Sequence, residues 1–402
     1  MNRIIDPCSL QEMKKMLSDM EVSTQGVENM APKGFALPVR LTAVEIGAAN
    51  IIKQEMLSVG ADAAMSRGIV EGKRERTDMI LLGTVDKIRK VIHKLDHYTT
   101  FGIPEIRDDL SRLLKNHLRE YHYQLNCRGK ELILDHPKVM GILNVTPDSF
   151  SDGGEYPTPE KGIKRALELH EQGGVIIDIG GESTRPGALP VDEETEISRI
   201  IPVISGIREK NHEVIISVDT YKSEVARRAL AAGADLVNDI SSLRFDGQMV
   251  ELLSDFPDVP VILMHMKGTP RDMQQNPIYE NLIDEILCFL EERVNFCLRS
   301  GVKEERIIID PGIGFGKDFA HNMEIFRRLT EFHSLGIPLM IGASRKSFIN
   351  KIYPSNPEER LNGSLAISAL AYQHKVSLVR VHDVKEHYQL IETLNIVSRL
   401  TE

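Results

Sequence analysis

The sequence predicts an α/β fold: a (β/α)8 TIM barrel preceded by a β-hairpin and a small separate α/β (α+β) domain. Three observations carry this expectation. From Met140 onward, eight short runs rich in β-branched residues recur, each ending in polar or glycine residues. Runs such as VIIDIG, VIISVD, PVILMHM, RIIIDPG and PLMIGAS are almost continuously apolar, as parallel strands buried on both faces are. Amphipathic stretches separate them. Strand–helix alternation sustained over about 260 residues implies a parallel sheet, and eight repeats favour a closed barrel over an open one.

The expected strands are Val139–Thr146, Val175–Gly181, Val214–Thr220, Leu236–Ser241, Val261–Met266, Arg306–Gly312, Leu339–Ser344 and Ser377–Asp383. Helical periodicity marks Glu160–Gln172, Glu193–Arg208, Ser223–Ala232 and Asn281–Arg299 between them. Ahead of the barrel, Tyr121–Asn126 and Glu131–Leu134 alternate around Cys127-Arg128-Gly129-Lys130, which reads as a hairpin turned at Gly129 and suited to plugging the N-terminal mouth. Residues 1–120 form the separate domain and 121–402 the barrel. In the former, Ser9 with Glu12, and Thr42 with Glu45, make capping-box signatures, the second opening a helix over Ala43–Leu57 that Gly60 closes. Thr77–Leu82 reads as a strand, Thr84 as the cap of a helix to about Leu95, Asp96–Pro104 as a joint, and Ile106–Tyr121 as a further helix.

Composition excludes several classes. The 402 residues are 42% hydrophobic and 27% charged, which suits a globular chain with a sizeable core. A net charge of −10 argues against a nucleic-acid binder. Cys8, Cys127, Cys288 and Cys297 form no C-x-x-C pair, which argues against zinc and iron–sulfur sites, and the last two, on one helical stretch, read as buried thiols. The N-terminus lacks an apolar signal core, and no run reaches the roughly 18 apolar residues of a membrane span, so the expected location is the cytoplasm, away from membranes. Gly312-Ile313-Gly314-Phe315-Gly316 lacks dinucleotide-fingerprint spacing.

In a barrel of this kind, function sits at the C-terminal strand ends. The eight strands deliver, in order, Asn144 with the NVTPDSFSDGG loop; Asp178 with GESTRPG; Ser217 and Asp219; Asn238 and Asp239; Met264-His265-Met266; Asp310; Ser344-Arg345-Lys346; and Arg380, His382 and Asp383. One such residue is most simply a cap or an ion-pair partner. Eight polar deliveries to one end point to a site, because unpaired charge at apolar strands is costly. Asp219, Asn238, Asp310 and Lys346 match a flat heterocycle with alternating donors and acceptors, which suits a pterin better than a sugar. Arg345 or Arg380 is expected to stack on its face. Arg185, Arg380, His382 and the amides around Ser183–Thr184 seek an anion. Asn144 and the acids of the first loop suit Mg2+ brought in by a pyrophosphate. The long glycine- and proline-rich first and second loops read as lids.

With those residues in view, the chain resembles the dihydropteroate synthase family. The motifs at 140–154 (MGILNVTPDSFSDGG), 178–187 (DIGGESTRPG), 217–220 (SVDT), 238–241 (NDIS), 264–270 (MHMKGTP), 309–317 (IDPGIGFGK), 342–348 (GASRKSF) and 380–384 (RVHDV) are similar to the family's, in its order, across roughly 121–402. The resemblance implies Mg2+-assisted condensation of 6-hydroxymethyl-7,8-dihydropterin pyrophosphate with p-aminobenzoate. It implies that Asp219, Asn238, Asp310 and Lys346 bind the pterin, with Met264 beside it. Asn144, Arg380 and His382 bind the pyrophosphate, and Asn144 the metal. Thr184, Arg185, Pro186, Phe315, Ser344 and Lys346 line the p-aminobenzoate side. Asp148, Phe150 and Asp152 join when the lids close. Asp219, Lys346, Arg380 and His382 are the expected catalytic set.

The family also implies a homodimer through outer helices after Lys346. Two rivals remain: a pterin-dependent methyltransferase, for which the anion-seeking Arg380 and His382 have no use, and a non-catalytic pterin-binding paralogue. Residues 1–120 lie outside the resemblance and carry no legible Walker motif or catalytic ring. A role in oligomerisation or stability is expected for them.

Overall fold

The computed structural model describes residue 5 and residues 10–66, 75–119, 122–146, 158–183 and 190–399. The chain divides into two compact units, Met1–Arg119 with Ser398–Glu402, and Glu120–Val397.

The first unit runs α1 (Leu10–Asp19), α2 (Thr24–Met30), β1 (Ala36–Glu45), α3 (Ile46–Ser58), β2 (Asp62–Met65), β3 (Arg76–Thr84), α4 (Val85–Leu95) and α5 (Ile103–Leu118). Its three strands form an antiparallel sheet in the order β1-β3-β2, an α+β arrangement. Strand β3 alternates, burying Thr77, Met79 and Leu81 and exposing Asp78, Ile80 and Leu82, as a sheet covered on one face must. The buried face packs on Ala48, Ile52 and Met56 of α3 and Ile88, Val91 and Leu95 of α4. Two expectations need correction. Thr42 to Glu45 do not open a helix: they end β1, where a bulge puts Ala43 at φ 52° and its N–H on Asp78 Oδ1 at 3.1 Å. The pairing with β3 outweighs the local capping signature, and the helix starts at Ile46. Thr84 does precede a helix, but its hydroxyl makes no capping bond and, among the described residues, is buried without a partner. Strand β2 and helix α2 carried no periodicity strong enough to predict.

The second unit opens with the hairpin β4 (Tyr123–Cys127) and β5 (Lys130–Leu134). Arg128 and Gly129 both take positive φ, 55° and 87°, the two-residue turn that matches strand twist. Then follow β6 (Lys138–Asn144), α6 (Pro159–Glu171), β7 (Ile176–Gly180), α7 (Glu193–Lys210), β8 (Ile215–Asp219), α8 (Ser223–Ala232), β9 (Leu236–Asp239), α9 (Gln248–Asp255), β10 (Val261–Met264), α10 (Leu282–Arg299), β11 (Ile307–Asp310), α11 (Phe319–Arg327), β12 (Met340–Ile341), α12 (Phe348–Ile352), α13 (Leu361–Gln373), β13 (Leu378–Val381) and α14 (Val384–Arg399). Strands β6 to β13 form one parallel sheet in the order β11-β10-β9-β8-β7-β6-β13-β12. A parallel bridge from Ile309 to Leu339, with the Ile309 N–H donating to Pro338 O at 2.9 Å, closes it into a barrel. All eight expected strands are present. Each stops one to three residues early, because the polar residues at its end leave the ladder to build the loops.

The hairpin fills the N-terminal mouth. Tyr123, Leu125, Cys127, Leu132 and Leu134 pack on one residue from every barrel strand: Met140, Ile176, Ile215, Leu236, Ile262, Ile308, Met340 and Leu378. Polar bonds fix it there. Lys130 Nζ and Arg208 Nη2 each lie 2.7 Å from Asp235, and Arg128 Nη1 donates to Leu230 O at 2.7 Å and Ala234 O at 2.8 Å. Outward residues such as Ile177, Ile179, Val218 and Val237 pack against Leu169, Ile200, Ile204 and Leu290 on the helices.

Cys297 is buried as expected, but Cys288 is exposed. Nine residues are about two and a half helical turns, so the two thiols of α10 lie on opposite faces. Among the described residues, no helix is long and apolar enough to cross a membrane.

Leu125→Ala is expected to destabilise the barrel by about 2–5 kcal/mol, because the plug loses a fully buried side chain and gains a cavity. Urea denaturation of the full chain measures this, and a loss below about 1 kcal/mol contradicts the plug's role in the core.

Candidate functional site

Strands β7, β8, β9 and β13 place four polar side chains within one hydrogen-bonded chain. Arg380 Nε lies 2.6 Å from Asp178 Oδ2, and its Nη2 lies 2.6 Å from Asp219 Oδ2. Asn238 Nδ2 donates to the same Asp178 oxygen at 3.1 Å. The strand register makes this possible: Asp178 pairs with Ser217, and Asp219 with Asn238. Among the described residues, two buried oxygens there have no hydrogen-bond partner, Asp178 Oδ1 and Ser217 Oγ.

The electrostatics follow from this packing. Burial pushes the Asp219 carboxyl up to about 7; Arg380 opposes the rise, and the Asp178 carboxylate adds to it. Burial also works against the Arg380 cation, but Asp178 and Asp219 outweigh it and hold the guanidinium above its ordinary range. Asp310, at the end of β11, is raised by burial and held back by the Gly312 N–H, which donates to its Oδ1 at 2.7 Å.

A second group faces the same mouth. Lys346 donates to Ile313 O and sits 4.5 Å from the centre of the Phe315 ring. Burial pushes its ammonium down to about 8, against the pull of Asp310. Phe315 and Tyr221 pack on a buried apolar cluster of Ile240, Met264, Met266 and Met273. His382 is held by Ser344, whose Oγ lies 3.2 Å from the His382 backbone N and 3.1 Å from Nδ1. Asn144 ends β6, half-buried.

The structure thus joins Asp219, Asn238 and Arg380 directly, joins Lys346 to Phe315, and joins Ser344 to His382. Arg345 is committed elsewhere: its guanidinium pairs with Asp383 through Nε at 2.9 Å and through Nη2. Of the two arginines expected at the ring face, that leaves Arg380 in the mouth. Asp148, Phe150, Asp152, Thr184, Arg185 and Pro186 lie outside the described residues.

Three participants are not evident from the sequence. Asp178 stands among the strand-end residues without an expected role, yet it holds both Arg380 and Asn238; its place inside VIIDIG, a charge within an apolar run, is the available signal. Lys222 bridges Glu182 at 2.5 Å, Glu196 at 2.6 Å and Val191 O at 2.6 Å. Lys317, almost wholly buried, meets His265 Nδ1 at 2.8 Å. Lys317 closes the IDPGIGFGK motif without an expected role there, and no sequence pattern announces Lys222.

Carboxylates and an amide at the ends of β7, β8 and β9, a lysine beside an aromatic ring in the loops after β12 and β11, and a half-buried guanidinium on β13 suit an enzyme site for a flat, nitrogen-rich ring joined to an anion. The pterin binding enzyme family matches residues 140–382. The dihydropteroate synthase of Escherichia coli (strain K12) is 44% identical over 275 residues, 68% of this chain and 95% of that protein. A probable bifunctional folylpolyglutamate synthase/dihydropteroate synthase of Halobacterium salinarum is 38% identical over 382 residues, 95% of this chain and 45% of that protein, so this match reaches well into the first unit. Xanthomonas albilineans dihydropteroate synthase, solved with 4-aminobenzoic acid, gives a TM-score of 0.65 at 42% identity over 69% of this chain and 98% of that one. The same enzyme with 7,8-dihydropteroate gives 0.63 at 40% identity, over 68% and 98%. The chain belongs to the dihydropteroate synthase family.

Arg380→Met is expected to destabilise the barrel more at pH 8 than at pH 5. Asp219 has a folded pKa of about 7, above its ordinary 3.8, so its ionisation already erodes stability as pH rises through that window. Without the cation the erosion steepens, whereas at pH 5 the carboxyl stays protonated. Denaturation of both proteins at the two pH values measures this; equal losses contradict the network.

Proposed function

We propose that the chain condenses 6-hydroxymethyl-7,8-dihydropterin pyrophosphate with p-aminobenzoate, yielding 7,8-dihydropteroate and pyrophosphate. The observation that carries this is the paired geometry of the mouth. A hydrogen-bonded Asp219–Arg380–Asp178–Asn238 chain shares one barrel mouth with a Lys346–Phe315 pair, in a chain 42% identical to a protein solved with 4-aminobenzoic acid.

Asp219 and Asp310 accept from the pterin's ring N–H and amino groups, Asn238 accepts from an N–H through its oxygen and donates to a ring nitrogen through its amide NH2, and Lys346 donates to the ring carbonyl. Met264 and its apolar neighbours support the ring. Phe315 and Ser344, with Thr184, Arg185 and Pro186, take the p-aminobenzoate. Asn144, Arg380 and His382 take the pyrophosphate, joined by Asp148, Phe150 and Asp152 of the first loop.

The arylamine nitrogen attacks the methylene carbon, the C–O bond to pyrophosphate breaks, and the amine proton is released. An arylamine is neutral near pH 7, so no strong general base is needed. The barrier lies in breaking the C–O bond, and the protein's contribution is positioning and charge. Asp219 and Asp310 favour positive charge developing on the pterin side, while Arg380 and His382 favour the departing anion.

Mg2+ fits this donor set in one way. Among the described residues, no group of three or more His, Cys, Asp or Glu converges on a metal. Asn144 offers one amide oxygen, which suits an ion whose other ligands are pyrophosphate oxygens and waters. Bound there, the ion would neutralise charge on the leaving group. Cytoplasmic location and pairing of two copies through helices after Lys346, where Ile352 is exposed, belong to the same proposal. A supporting role in assembly or stability for residues 1–120 completes it.

Lys346→Ala is expected to lower turnover at least 100-fold and to weaken pterin binding, read by product formation and by titration calorimetry; wild-type rates would sink the assignment. Because the wild-type ammonium titrates near 8, pterin affinity should fall as pH rises past that value. Affinity flat from pH 6.5 to 9.5 counts against donation from Lys346.

A further inference from the structure

The turn after β11 is held with no slack. Gly312 and Gly316 take φ of +70° and +65°. A Cβ on Gly312 would lie 1.9 Å from His265 O, and one on Gly316 2.4 Å from Lys267 O. The turn therefore lies flush on the backbone at 265–267, where no residue but glycine fits. Its four successive carbonyls are each taken by a different side chain. Ile313 O accepts from Lys346, Gly314 O from Gln274 at 2.6 Å, Phe315 O from Lys317 at 3.0 Å, and Gly316 O from Tyr279 at 2.7 Å.

Lys317 differs from the other three. It is 1% exposed, and its amine also meets His265 Nδ1 at 2.8 Å and His265 O at 3.4 Å. It thus ties the backbone at Phe315 to His265, the residue that follows β10. His265 is fixed in turn, its N–H donating to Asp310 O at 2.9 Å and its ring packed edge-on against Phe289 with centres 4.9 Å apart. The Phe315 ring, on the residue whose carbonyl is fastened, lies against Lys346.

We propose that Lys317 is a positioning residue for the condensation: by holding the Phe315 carbonyl against His265 it sets the Phe315 ring, and through that ring the Lys346 amine, at the junction of the two substrates. This rests on the proposed condensation at the same site. Burial pushes both the Lys317 amine and the His265 ring below their ordinary ranges.

The test is a double-mutant cycle between Lys317→Met and Phe315→Ala, read in kcat/KM for p-aminobenzoate with the pterin substrate saturating. Displacements of about 1 Å cost up to about 100-fold in rate. Each single substitution should therefore lower kcat/KM by roughly tenfold or more. The double variant should fall within about threefold of Phe315→Ala, because Lys317 has no ring left to position. Thermal stability, measured in parallel, should lose the two contributions separately. Factors that multiply in kcat/KM, or wild-type rates for Lys317→Met, overturn the proposal and leave Lys317 a structural residue. If Lys317→Met is not recovered folded, His265→Leu, which removes only the ring nitrogen from the amine, runs the same cycle: a double variant level with Phe315→Ala supports the proposal, and multiplying factors overturn it. The wild-type assay separates the levels: an active wild type with multiplying factors removes Lys317 alone, and a wild type that forms no product removes the proposed condensation and this inference with it.

Discussion

One guanidinium holds the C-terminal mouth of the barrel together. Arg380, on β13, reaches past β6 to carboxylates on β7 and β8, at 2.6 Å each. Two buried carboxylates on neighbouring strands repel, and each has lost most of its hydration. A cation between them makes the arrangement tolerable, and Asn238 adds a donor on the Asp178 side. The result is a polar surface at the mouth that costs stability and is ready to receive donors. Pre-arranged charge of this kind is what a reaction dominated by electrostatic positioning requires.

The opposite mouth makes the complementary contribution. There, one apolar side chain from each of the eight strands meets the apolar face of the hairpin. The ion pair that fixes the hairpin, Lys130 to Asp235, lies beside it, and Arg208 holds Asp235 in turn. A barrel divided this way separates its tasks along the axis: hydrophobic packing at one end stabilises the closed sheet, and the other end carries groups that packing alone would reject.

The barrel is legible in the sequence because its signal is repetitive. Eight apolar runs of similar length, each ending in polar residues, leave few other folds, and the hairpin announces itself through alternation and Gly129. The first unit is less legible. At Thr42–Glu45 a local capping pattern competes with strand pairing to β3, and a non-local contact with Asp78 decides the outcome. The polar residues of the mouth are legible as endings of apolar strands. Which of them touch is not, because the partners of Asp178 lie 60 and 202 positions away along the chain. Lys222 and Lys317 are invisible for a related reason. Lys317 ends a recognisable motif and Lys222 follows one, but each acts by reaching back to carbonyls and side chains that only the folded loops bring near.

The central claim, that this mouth joins a dihydropterin to an arylamine with loss of pyrophosphate, is tested most directly by product stoichiometry. The full chain is incubated with 6-hydroxymethyl-7,8-dihydropterin pyrophosphate, p-aminobenzoate and Mg2+, and pyrophosphate and 7,8-dihydropteroate are quantified together. Appearance of both in equal amounts, dependent on each substrate, is the predicted result. Binding of the pterin with neither product formed contradicts the claim and identifies a site that holds a pterin without condensing it.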